Sequence, residues 1–320
     1  MMMPFDRDAA MDALVRAIPH IRMFRGTTFV IKVGGGSCQD AATRDRLVEQ
    51  LAVLRELGIR IVLVHGGGPQ TTALCERLGI DTPFVGGRRV TSAPALEAAV
   101  MGILGTVRTS LLASFRKAGV DAIGLSGIDA GLVQAVKRPP RAVENEGRIE
   151  TIDFGQVGDI ESVEPRVLEA LMDAGTIPVV SPLCADRDGQ VLNVNADTVA
   201  AALAQSLKSE KLVFMTATPG LLAKREDAGS LISYTDIAGL EALERDGAIA
   251  TGMLPKVLAA RASLEAGVKR VHMVGHRTRN GLLLEILTNE GAGTLIVREM
   301  AELRPSEMPA DPTPAMAVNE

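Results

Sequence analysis

Short unbroken apolar runs alternate along the chain with longer stretches whose apolar positions recur every three or four residues. The first run, VIKV at 30–33, leads into a stretch where Leu47, Leu51, Leu54 and Leu57 share one helix face and Gly58 stops the helix. The next run is IVLV at 61–64. Runs without alternation are the mark of strands buried on both faces. The same pattern predicts a helix over 92–117, a strand over 122–127, a helix over 165–174 and a strand over 177–183. Further on it predicts a helix over 196–208, a strand over 211–216, a polar loop over 225–230, helices over 235–246 and 253–266, and strands over 270–275 and 293–297. Such alternation implies a parallel α/β sheet.

Three segments break the rhythm. Residues 8–24 carry Met11, Leu14, Val15, Ile18, Ile21 and Met23 at helical spacing, interrupted by Pro19, which predicts an N-terminal helix with a kink. Residues 138–164, with RPPRAVENEGR and short β-like pieces, predict a hairpin excursion of the kind that covers a substrate. The closing RPSEMPADPTPAMAVNE has no apolar periodicity and predicts a disordered tail.

With 320 residues, 47% of them apolar, the chain can bury a substantial core as one large α/β domain or two lobes. A net charge of −5 with dispersed basic residues argues against a nucleic-acid backbone as partner. Cys38, Cys75 and Cys184 are odd in number and far apart, so they are read as structural thiols. His20, His65, His272 and His276 do not form a ligand cluster, and no metal site is expected. No stretch reads as long and apolar enough for a membrane helix, and Asp6, Arg7, Asp8 and Asp12 stand where a signal peptide would be apolar. The expected location is cytoplasmic.

Two of the apolar runs end in glycine triplets, VIKVGGGS at 30–37 and IVLVHGGGP at 61–69. A buried strand feeding a glycine turn and then a helix brings bare backbone N–H groups to a helix N-terminus, which binds anions. Lys32 puts a fixed cation beside the first turn. Neither loop fits the dinucleotide fingerprint G-x-G-x-x-G, and the absence of any Gly-Lys dipeptide excludes a conventional P-loop. Glycine triplets also serve as plain tight turns. Two of them, each after a buried run, favour the binding role.

Other polar residues stand where structure alone gives little reason for them. In LNVNADTVAAALA, Asn193, Asn195 and Asp197 alternate, so an extended strand end would aim all three one way, with Asn195 or Asp197 free to cap the following helix. Lys256 follows Pro255 at a helix start, where the dipole disfavours a cation, which implies an anion opposite it. Arg89 in FVGGRRVT offers a planar fork for a carboxylate, while Arg88 is read as solvent-facing.

In this order VIKVGGG, IVLVHGGGPQ, FVGGRRVT, GLSGIDAGL, GTIPVVSPL, LNVNADTVAAALA, GMLPK and LLLEILTNEGAGTLI resemble the amino acid kinase family, over about residues 11–298. The resemblance is to its branch acting on N-acetylglutamate. It implies a three-layer αβα sandwich on a mainly parallel open sheet. Residues 1–25 would be an oligomerisation helix, 26–185 a lobe for the acyl amino acid, 186–300 an ATP lobe, and 301–320 a disordered tail. The implied reaction is phosphorylation of the γ-carboxylate of N-acetyl-L-glutamate by ATP with Mg2+, in arginine biosynthesis. A carboxylate is already a nucleophile, so alignment and charge neutralisation suffice.

By the same resemblance Lys32 and Lys256 are the transition-state lysines and Asp197 organises them. Gly67, Gly68, Arg89 and Asn193 would hold the acyl amino acid, and Gly34, Gly35, Thr216 and Gly220 would face the nucleotide. The N-terminal helix implies a homo-oligomer, dimer or hexamer, and arginine as feedback inhibitor near GAGTLI. Ala217, Thr251 and Gly275 stand where the family carries Asp, Gly and Asp, and Arg108–Thr109 where it carries Asn-Lys. These departures leave open a catalytically weakened amino-acid sensor, or a kinase for a related acyl group such as carrier-linked aminoadipate.

Overall fold

The computed structural model describes residues 7–145, 148–224, 227–250 and 252–307. Its centre is an eight-stranded sheet: β1 (Thr28–Val33), β2 (Arg60–His65), β3 (Ala122–Ser126), β4 (Ile177–Ser181), β5 (Lys211–Thr216), β6 (Tyr234–Thr235), β7 (Arg270–Gly275) and β8 (Gly293–Ile296). The strand order is β6-β8-β7-β5-β1-β2-β4-β3. Strands β7 and β8 pair antiparallel, β8 pairs parallel with β6, and the remaining neighbours are parallel.

The unbroken runs are divided between two apolar layers. One face of β1, β2, β4, β5 and β7 puts Val30, Val62, Val64, Val180, Leu212, Phe214, Val271 and Met273 against α5 (Arg166–Asp173), α6 (Ala196–Ser206) and α8 (Leu254–Glu265). The other puts Phe29, Ile31, Ile61, Leu63, Val179, Val213 and Met215 against α2 (Ala41–Glu56), α4 (Ala93–Lys117) and α9 (Gly281–Leu287). Helix layers on both faces make a three-layer αβα sandwich, the expected class.

Strand β1 has β2 on one side and β5 on the other, so the chain leaves it in opposite directions on its successive returns. Crevices at such switch points, outside the carboxyl ends of parallel strands, are where α/β sheets bind ligands. The excursion expected at 138–164 is real and larger. A hairpin pairs Arg141–Asn145 with Arg148–Ile152, and a second, four-stranded sheet joins 133–137, 158–163, 183–185 and 191–193.

Several boundaries differ from the sequence expectation. The strand read as 177–183 stops at Ser181, and Leu183–Ala185 joins the second sheet, because Pro182 between them has no N–H for the ladder. Pro19 lies inside α1 (Arg7–Phe24), which continues through it. Among the described residues one helix, α4, is long and apolar enough to cross a membrane by length and composition. Its apolar side is core-facing, with Ala95, Ala98, Ile103, Val107, Leu111 and Phe115 buried. The expected tail also begins in ordered structure. Residues 300–302 and 305–307 form single 3-10 turns, and Glu307 accepts from Arg270 Nε at 2.9 Å. Residues 308–320 lie outside the described residues. Cys38, Cys75 and Cys184 are free and buried.

Candidate active site

The two glycine corners are built differently. After β1, residues Gly35–Cys38 form a 3-10 turn, and α2 starts later with its N-terminus capped by Asp40, which accepts from Thr43 N at 2.7 Å. After β2, Gly67 leads directly into α3 (Gly68–Leu78) with no side chain capping it. Only the second corner is an open helix N-terminus, the arrangement expected of both. The corners pack against each other so closely that a Cβ on Gly35 would lie 2.7 Å from Gln70 Oε1 and 3.0 Å from Gly67 Cα. A Cβ on Gly67 would meet Ile103 at 2.6 Å. Glycine is needed there for close approach, and Gln70 locks the pair by donating to the Gly35 carbonyl at 2.8 Å.

Beside the corners lies a buried charged centre. Asp197, in the first turn of α6, meets Lys32 Nζ through Oδ1 at 2.7 Å and Lys256 Nζ through Oδ2 at 3.2 Å. The alternating asparagines and aspartate do not share one strand face. The strand ends at Asn193, and Asn195 is the helix cap, accepting from the amides of Asp197 and Thr198. That cap starts α6 and turns Asp197 toward the lysines. The anion inferred opposite Lys256 is this carboxylate. Burial pushes the Asp197 carboxyl up, but the two ammonium groups outweigh it and hold it below the ordinary carboxylate value. Burial pulls the Lys32 ammonium below its ordinary value against the opposing pull of Asp197.

Lys32 and Asp197 open onto a cleft of about 1250 Å³ whose lining also includes Gly35, Gly67, Gly68, Arg89 and Asn193, with Pro255 rather than Lys256 at its wall. Arg89 comes from a two-residue hairpin, Phe84–Val85 paired with Arg88–Arg89, turned by Gly86 and Gly87 at φ of 53° and 73°. Its guanidinium donates to Thr82 Oγ1, Thr72 Oγ1 and the Gly68 carbonyl, and lies 4.6 Å over the Phe84 ring. All these partners are neutral, so the fork is fixed in place with its charge uncompensated. Asn193 contacts Thr91 Oγ1 at 3.5 Å.

Gly34, Thr216 and Gly220 stand apart from that lining. The Thr216 hydroxyl is within hydrogen-bond distance of the carbonyls of Thr218 and Val274, so it is committed inside the fold. Gly220 is packed against Thr294. Sequence reasoning missed the apolar wall supplied by Phe154, Val157 and Ile160, although the excursion that carries them was visible. Of the departures, Thr251 lies outside the described residues. At Gly275 a Cβ would meet Pro219 Cα and Thr278 Oγ1, each at 3.0 Å, so an aspartate there requires these neighbours to give by a few tenths of an ångström.

His65 ties the second corner down. Its Nε2 lies 2.7 Å from Ser181 Oγ and its Nδ1 3.0 Å from the Gly66 carbonyl, so Nδ1 carries the proton and Nε2 accepts from the hydroxyl. Burial pushes the imidazole down to about 4 from 6.5. A depressed folded-state value means that the stabilisation is complete above pH 6.5 and is lost as pH falls toward 4. The loss is expected to be about 3 kcal/mol. Urea titrations across this range should show the slope in the parent protein and a shallower one in His65→Gln; parallel slopes would exclude His65 as the cause.

Among the described residues no group of three or more His, Cys, Asp or Glu side chains could hold a metal ion. Asp197 faces two cations, so one carboxylate is set against two ammonium groups at this centre.

Comparison with known proteins agrees with this geometry. Residues 27–275 match the model of the amino acid kinase family. An acetylglutamate kinase from Myxococcus xanthus (strain DK1622) is 49% identical over 292 residues, covering 91% of this chain and 95% of that protein. The N-acetylglutamate synthase of Neisseria gonorrhoeae, solved with coenzyme A and N-acetyl-glutamate, superposes with a TM-score of 0.77 at 29% identity over 90% of this chain. This chain spans only 63% of that synthase. A carbamate kinase from Giardia lamblia bound to AMP-PNP shares the fold, with a TM-score of 0.60 at 17% identity over 86% of this chain and 99% of that one.

Proposed function

This chain belongs to the amino acid kinase family, and on that premise we propose that it catalyses ATP-dependent phosphorylation of the γ-carboxylate of N-acetyl-L-glutamate, a cytoplasmic step of arginine biosynthesis. The observation that carries this reading is Asp197 buried between Lys32 and Lys256, next to two glycine corners that touch. Gly67, Gly68, Arg89 and Asn193 hold the acceptor, with the Arg89 fork on its second carboxylate. Gly34 and Gly35 face the transferring phosphoryl group, and the backbone around Thr216 and Gly220 borders the nucleotide. Magnesium arrives with ATP as part of the substrate, liganded by phosphate oxygens and water.

A γ-carboxylate oxygen attacks the γ-phosphorus, the bond from that phosphorus to the bridging oxygen breaks, and ADP leaves with the electron pair. No proton has to move, so no general base is required. The chain's task is to align two anions and offset the charge on the equatorial oxygens, which Lys32, Lys256 and the corner amides do. Incubation with MgATP, N-acetyl-L-glutamate and hydroxylamine should yield a hydroxamate. Absence of product and of ATP binding would overturn the assignment in favour of an amino-acid-binding subunit.

The reading extends to assembly and regulation. Met11, Leu14, Val15 and Ile18 make an exposed apolar face on α1, which supports a homo-oligomer, dimer or hexamer, held through this helix. A small cavity beside α1 is lined by His20 and Glu285 together with Gly291 and Gly293 of GAGTLI, which supports arginine binding near that segment. Arginine should raise the thermal midpoint if it binds there.

A further inference from the structure

The acceptor side of the cleft carries an excess of positive charge that none of the roles above uses. Arg138 donates to Asp159 Oδ1 from Nε at 3.0 Å and from Nη2 at 2.6 Å, while Arg141 takes Oδ2 at 2.8 Å. Both oxygens of that carboxylate are then occupied. Arg88 stands close enough that burial first, and then the charges of Arg138 and Arg141, push its own pKa down, with Asp159 opposing them. Two guanidiniums thus share one carboxylate, with the charge of Arg88 close to them. Among the described residues Arg88 has no carboxylate within ion-pair distance. Two neighbouring carboxylates have their own partners: Glu161 pairs with Arg187 at 3.2 Å and Asp153 with Lys137 at 3.8 Å.

Arg88 and Arg138 line the same cleft as Arg89 and the glycine corners. Arg138 is held by Asp159, and Arg88 is an exposed side chain on a packed backbone: the Gly86–Gly87 turn that presents it lies under Val143 of the neighbouring hairpin, where a Cβ on Gly86 would meet Val143 Cγ1 at 2.7 Å. Holding like charges together costs stability, so an uncompensated cation at a cleft mouth is costly unless an anion comes to it.

We infer that Arg88, reinforced by Arg138, is an electrostatic capture residue for the dianionic acceptor, attracting it to the cleft before Arg89 and the glycine corners fix it. This inference rests on the acceptor-phosphorylation reading. Arg88 acts on binding through charge at a distance, so it affects KM for the acceptor far more than kcat. The effect is screened by salt, since the Debye length falls from about 30 Å at 0.01 M to about 3 Å at 1 M.

The test measures KM for N-acetyl-L-glutamate at saturating MgATP across ionic strength in the parent, R88Q, R88K and R60Q. R88Q should raise KM about two- to fivefold near 0.02 M salt, as expected for one screened charge, with the difference gone near 1 M. R88K, which keeps the charge, should follow the parent. R60Q removes the same charge at the opposite end of β2 and controls for net charge. Equal KM for R88Q and parent at low salt, or an R88Q defect unchanged by salt and shared by R88K, would overturn the inference while leaving the function standing. A parent protein without acceptor-dependent turnover would overturn both.

Discussion

Lys32→Ala is expected to lower kcat for acceptor phosphorylation by about 10³-fold while leaving the fold in place. Lys32 lies on the central strand, 5% exposed, with its ammonium 2.7 Å from Asp197. A fixed cation aimed at charge that develops on the transferring group acts without reorganisation, which is why its removal costs rate rather than affinity. The fold survives because Asp197 keeps Lys256 as partner at 3.2 Å. Lys32→Arg should not restore activity, since a planar, delocalised guanidinium does not reproduce the compact point charge held 2.7 Å from Asp197. The charged form is required, and burial holds the ammonium below its ordinary 10.5. Activity should therefore fall on the alkaline side earlier than an exposed lysine would dictate. Hydroxamate formation at saturating substrates, with a thermal melt beside it, measures both parts; a kcat within tenfold of the parent would remove Lys32 from the chemistry.

What the sequence disclosed and what it hid have a common physical origin. Strands buried on both faces must be apolar throughout, so β1, β2, β5 and β7 and the corners that follow two of them were readable as local patterns. Lys256 was readable for the same kind of reason, because a cation at a helix start is a local anomaly. The position of Asp197 was harder. An alternating N-V-N-A-D reads as strand, but the Asn195 side chain satisfies the two amides that begin α6 and so ends the extended segment before Asp197. The meeting of Lys32, Asp197 and Lys256 is a product of the sheet order, with β1 beside β5, and no local pattern encodes it. Thr216 shows the same division: its place at a strand end is a local pattern, while its hydroxyl is engaged by carbonyls that only the neighbouring strand β7 and the turn after β5 supply.

Asp197→Asn should have the largest effect on stability of any single change at the site. The substitution keeps the shape and removes the one charge that compensates two buried ammonium groups, whose side chains are only 7% and 18% exposed. Breaking a buried pair by deleting one partner's charge costs roughly 3–5 kcal/mol, because the remaining charge is left without compensation. Here two charges are left, and they also repel, so Lys32, already held below its ordinary value by burial, should titrate at still lower pH than in the parent. Activity should disappear as well, since the lysines lose the carboxylate that fixes their positions. The two effects separate in a second variant. Adding Lys32→Met to Asp197→Asn removes one of the unpaired cations and should recover part of the lost stability, while turnover stays absent. If urea denaturation gives Asp197→Asn within about 1 kcal/mol of the parent, the pair network contributes little to folding. If the double variant is no more stable than the single one, uncompensated charge is not the reason for the loss.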